Sequence, residues 1–139
     1  MPNRNYFMTL HNDDKGSLRT QKAANGRSID ICASVNAGIC GFTCRIKAWK
    51  IDKRTVGLEI SESECQQIQD FSELLSQLSL NEVFMPITRN LVYLAAEKSG
   101  CHPSCPTPAA VLKAAEVAME MALPRDASIR FEPCKRKMI

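Results

Sequence analysis

Ser28-Ile29-Asp30-Ile31-Cys32-Ala33-Ser34-Val35 alternates polar and apolar residues. A period of two is the pattern of a strand that buries one face. Asn36-Ala37-Gly38-Ile39-Cys40-Gly41 breaks the alternation, and Gly38 and Gly41 permit positive φ or a close backbone approach. A second alternation follows at once, with Phe42, Cys44, Ile46 and Ala48 on one side and Thr43, Arg45, Lys47 and Trp49 on the other. Asp52-Lys53-Arg54 reads as a polar turn, and Val56, Leu58 and Ile60 as a third short strand. Strands joined by connections this short predict an antiparallel meander.

Beyond the meander the period changes. Ser61 with Glu64, and Ser63 with Gln66, each fit a capping box. Ile68, Phe71, Leu74, Leu75 and Leu78 then recur at helical spacing, which predicts a helix to about Leu80. Pro86 suits the start of a second helix, with Leu91, Leu94 and Ala95 on one face and Lys98-Ser99-Gly100 as its end. The segment from Cys101 to Pro108 holds Pro103, Pro106 and Pro108 and is read as a loop. Ala109 to Leu123 predicts a third helix, stopped by Pro124, and Ser128-Ile129-Arg130-Phe131-Glu132 alternates as a last strand. The order βββαααβ predicts an α+β fold in two layers: a four-stranded, mainly antiparallel sheet with three helices on one face. Residues 1–27 lack periodicity and are expected to be a flexible leader, 28–132 a single α+β domain, and 133–139 a basic tail.

The chain has 139 residues, enough for one domain whose core does not depend on disulfides or metals. Its net charge of +3 is unevenly placed. Residues 1–27 carry +3 and residues 133–139 another +3, leaving the body between them at −3. Lys135-Arg136-Lys137 has no interleaved aromatic residue for base stacking, so nucleic acid is not the expected partner. No apolar run approaches the roughly 20 residues of a membrane span, and no apolar stretch follows Met1-Pro2-Asn3-Arg4-Asn5 as a secretory signal would require. The expected location is therefore the cytoplasm. Self-association stays open, since Met119, Met121 and Trp49 suit a core or an interface equally.

Seven cysteines without a secretory signal point to metal binding, thiol chemistry or packing rather than disulfides. Cys44 is in phase with Phe42 and Ile46 and is expected in the core; Cys32 and Cys134 are read as bystanders. Cys40 lies in the glycine turn, Cys65 in the first turn of a helix, Cys101 after a glycine cap and Cys105 before a helix start. Turns and helix N-termini present N–H groups that favour the anionic thiolate, the form that ligates metals and attacks electrophiles. Four such thiolates suit zinc or an iron–sulfur cluster, with His102 as a substitute ligand. The C-x-x-x-C spacing of Cys101 and Cys105 is not that of zinc ribbons or knuckles. Two alternatives stand beside it: a metal-free thiol redox protein using Cys105, and a structural or interaction domain with packing cysteines. The usual nucleotide, zinc-protease and serine-hydrolase motifs are absent, so whether the chain is an enzyme is left undecided.

Four stretches, Ala37-Gly38-Ile39-Cys40-Gly41-Phe42, Ser63-Glu64-Cys65, Cys101-His102-x-x-Cys105-Pro106-x-Pro108 and Ala122-Leu123-Pro124-x-Asp126, occur in this order. Together they resemble the motifs of a family of small uncharacterised bacterial and archaeal proteins, a domain of unknown function. The resemblance covers roughly residues 29–132. It implies that Cys40, Cys65, Cys101 and Cys105 belong together, and it implies no activity.

Overall fold

The computed structural model describes residues 10–12, 18–20 and 30–137. Two short strands, β1 (Leu10–Asn12) and β2 (Leu18–Thr20), pair antiparallel as a ribbon of their own within the stretch read as a leader; the rest of that stretch lies outside the described residues. The body is built on a sheet of order β3-β4-β5-β6, formed by β3 (Ile31–Asn36), β4 (Thr43–Asp52), β5 (Thr55–Ser61) and β6 (Gln77–Ser79), all antiparallel. Helices α1 (Gln66–Leu74), α2 (Leu80–Val83), α3 (Leu91–Lys98) and α4 (Thr107–Ala118) complete it, with a 3-10 turn at Ile87–Arg89. This is the expected α+β architecture.

The alternation read from the sequence sets the sidedness of the sheet. Ile31, Val35, Cys44, Ile46, Ala48, Val56, Leu58 and Ile60 are buried and face the helices, with α4 packed across β3, β4 and β5 and α1 against β5. Cys32, Ser34 and Arg45 lie exposed on the other face. There Gly57 leaves room for the indole of its cross-strand partner Trp49; a Cβ at Gly57 would fall 2.3 Å from that ring.

The fourth strand is not where the alternation of residues 128–132 placed it. The first helix ends at Leu74, and Leu75 turns extended (φ −128°) to lead into β6, where Leu78 pairs with Val56. Leu75 and Leu78 are both buried, and their spacing fits a helix face as well as a bend into a strand. The exposed edge of β5 decides between them, taking up the chain through the Leu58 N–H bond to the Ser76 carbonyl at 2.9 Å and the β6 ladder. Ser128–Glu132 forms no strand and pairs with none of the strands among the described residues.

Other boundaries shift for local reasons. The capping box sits at Ser79 and Glu82, opening α2, where the serine hydroxyl accepts from the Glu82 N–H and the glutamate from the Ser79 N–H. It does not sit at Ser61 or Ser63. The second expected helix begins at Leu91 rather than Pro86, because Asn90 caps it by accepting from the Val92 N–H at 3.0 Å. Its buried face is Val92, Ala95 and Ala96, while Leu91 and Leu94 are exposed. The last helix starts at Thr107 and stops at Ala118, ahead of Pro124, where Glu120 takes a left-handed φ of 61°. Residues 121–137 belong to no helix or strand. Among the described residues, no helix is long and apolar enough to cross a membrane.

Candidate functional site

One end of the sheet gathers the β3–β4 turn, the start of β4, the exit of β5 and the N-termini of α1 and α4. The turn is shaped by Gly38 (φ 93°) and Gly41 (φ 75°) and closed by the Ala37 N–H bond to the Phe42 carbonyl at 3.0 Å. It presents Ile39 and Cys40 to solvent. On leaving β5, Glu62 adopts φ 56°, a left-handed value uncommon outside glycine. The chain then passes through Ser63, whose hydroxyl accepts from the Cys65 N–H at 3.2 Å. Cys65 occupies the N-cap of α1, the place taken most often by serine, threonine, aspartate or asparagine. Its thiol donates instead to Gln67 Oε1 at 3.2 Å.

The C-terminus of α3 delivers the next thiol. Gly100 (φ 73°) donates to the Glu97 carbonyl and Cys101 to the Ala96 carbonyl, the two bonds of a Schellman cap. This matches the glycine cap read from the sequence and turns Cys101 toward α1, where its Sγ lies 3.9 Å from the Gln67 carbonyl oxygen. Four residues on, the Cys105 N–H bonds the His102 carbonyl at 3.0 Å, and Pro106 starts α4. His102 itself is exposed. Thr107, 1% exposed, sets its hydroxyl 3.9 Å from the buried Cys44 Sγ, which ties the start of α4 to β4.

Cys65, Cys101 and Cys105 are thus half-buried against the core, and Cys65 and Cys105 lie near enough to both Cys44 and Cys101 to disfavour ionisation of either. Burial, reinforced by the neighbouring Cys105 and Cys65, pushes the Cys101 thiol up to about 11. Burial likewise raises Cys44, partly offset by its bond to Thr107. At Cys101 the loss of water outweighs any gain from turn N–H groups, contrary to the expectation of a ready thiolate, whereas the raised Cys44 fits its expected place in the core. Cys40 stands apart on the exposed turn, at the same end of the sheet but outside the half-buried group. Cys32 and Cys134 are exposed.

Sequence reasoning missed two members of this arrangement. Cys44 was read as core and is core, yet it also borders the site, because alternation reports which face a residue takes and not which end of the sheet. Gln67 touches both Cys65 and Cys101, a contact no local pattern announces. Among the described residues no three His, Cys, Asp or Glu side chains are already arranged to hold a metal ion. A crevice between Ala37, Phe42, Cys44, Ser63, Ile68 and Thr107 encloses about 10 Å³, about the space of one water. It is too small for an organic substrate.

A family model described as a family of unknown function (DUF6951) matches residues 31–131. No curated protein and no solved structure matches the chain.

Proposed function

The chain belongs to that family of unknown function, and from its chemistry we propose that it binds a soft metal centre, zinc or an iron–sulfur cluster, through Cys65, Cys101 and Cys105, with Cys40 as the fourth ligand. One observation carries the reading: segments far apart in sequence bring half-buried thiols to a single end of the sheet. Sulfur ligands suit both centres. Cys40 is exposed on the β3–β4 turn at the same end of the sheet as the other three. His102, exposed on the loop between Cys101 and Cys105, is the substitute ligand. Ligation displaces the thiol protons, so uptake releases protons and is favoured at higher pH.

The packing of Cys65, Cys101 and Cys105 against the core supports a second reading, in which they are small hydrophobic side chains with no ligand. Anaerobic purification of the wild type beside Cys105→Ser separates the two. A cluster gives brown protein containing iron and sulfide; zinc gives colourless protein with about one metal per chain. Either centre should be lost in Cys105→Ser. Metal-free wild type, or metal undiminished in the variant, defeats the proposal. Selective rapid alkylation of Cys105 in metal-free protein would instead identify a thiol enzyme.

A further inference from the structure

β3 is an edge strand: β4 pairs with one side of it, and among the described residues no strand pairs with the other. Its outward backbone groups form a template for a further strand. At the C-terminus lies a segment with the complementary defect. Ser128-Ile129-Arg130-Phe131-Glu132 alternates like a strand with one apolar face, yet belongs to no sheet, and its apolar residues are exposed, Ile129 by 82% and Phe131 by 93%. The family match runs through this segment to residue 131, so it is part of the domain and not an appendage.

We propose that residues 128–132 of a second copy pair with the outer edge of β3, and that the protein is a strand-exchanged dimer. The chain leaves α4 at the end of the sheet where β3 begins: Glu120 lies 3.9 Å from Lys50 near the end of β4, and Ile31 pairs with Ala48. To run antiparallel beside its own β3, the segment would first have to travel the length of that strand. A second copy related by a twofold axis can offer its own β3 edge to the segment and take the other segment in return, giving two identical contacts. In register, Ile129 and Phe131 fall on the face of Ile31 and Val35, beside α4, while Ser128, Arg130 and Glu132 face solvent with Cys32 and Ser34.

Light scattering on the full chain after size exclusion, together with amide hydrogen exchange, tests this. The expected mass is that of a dimer, with slowed exchange at 128–132 and along β3. Ile129→Asp with Phe131→Asp should give a monomer, with exchange at 128–132 and on the outer amides of β3 returning to unprotected rates. The core should stay folded, because neither side chain packs within its own chain. Monomeric wild type overturns the proposal, whether 128–132 is protected within its own chain or not. So does a double variant that remains dimeric.

Discussion

At Asn90 a side chain only 2% exposed donates to the carbonyls of Glu82, Val83 and Met85 and accepts from the Val92 N–H, all at 3.0–3.4 Å. At the cysteine end the Sγ atoms of Cys44 and Cys101 reach their oxygen partners at 3.9 Å. One amide ties the exit of α2 to the start of α3, with both of its N–H donors committed. The thiols are gathered with comparable care for position but bound to little. Polar groups that a fold uses for stability saturate one another, because each buried polar atom left unpaired is costly. Soft, weakly hydrogen-bonding sulfur can be held close without that closure, which keeps it available for a ligand.

The contrast is broken first at Asn90. Asn90→Ala removes a helix cap and the partner of three carbonyls, and should destabilise the domain by roughly 2–4 kcal/mol in urea unfolding. A loss below about 0.5 kcal/mol would show that water replaces the amide freely, and the premise of a closed knot would fail. Metal content should be unchanged in the folded fraction.

A smaller effect sharpens the other half. In metal-free protein Cys105→Ser should cost less than about 1 kcal/mol, since the residue is only partly buried and contributes no side-chain bond to the core. If it costs as much as Asn90→Ala, the cysteine end is structural and the packing reading prevails.

A third test is in pH. The Cys101 thiol ionises near 9.0 in an unfolded chain and near 11 in the fold. Below the lower value both states keep the proton and the full stability is present. Between the two, only the unfolded state gives up its proton, so stability falls as pH rises and levels off above the upper value. Denaturation of metal-free protein across this window should show a decline that is shallower in Cys101→Ala. Parallel declines would mean that Cys101 is no more buried than an ordinary thiol.

How far these regions could be read in advance follows from the range of the forces involved. Local pattern determined the meander, since alternation from Ile31 to Ile60 leaves one way to bury Ile46, Ala48, Val56 and Leu58 together. It also determined the glycine cap before Cys101 and the setting of Cys65 and Cys105 at helix starts, because caps and turns are matters of a few neighbouring residues. Tertiary structure decided what local pattern left degenerate. Leu75 and Leu78 satisfy a helix face or a bend into β6, and only the waiting edge of β5 chose the strand. Ile129 and Phe131 alternate as a strand should, but a strand exists only where an edge pairs with it, and among the described residues none does. Cys44 joined Cys65, Cys101 and Cys105 for the same reason: proximity between residues 63 apart, as Cys44 and Thr107 are, is made by packing α4 on the sheet, and no local sequence pattern encodes it.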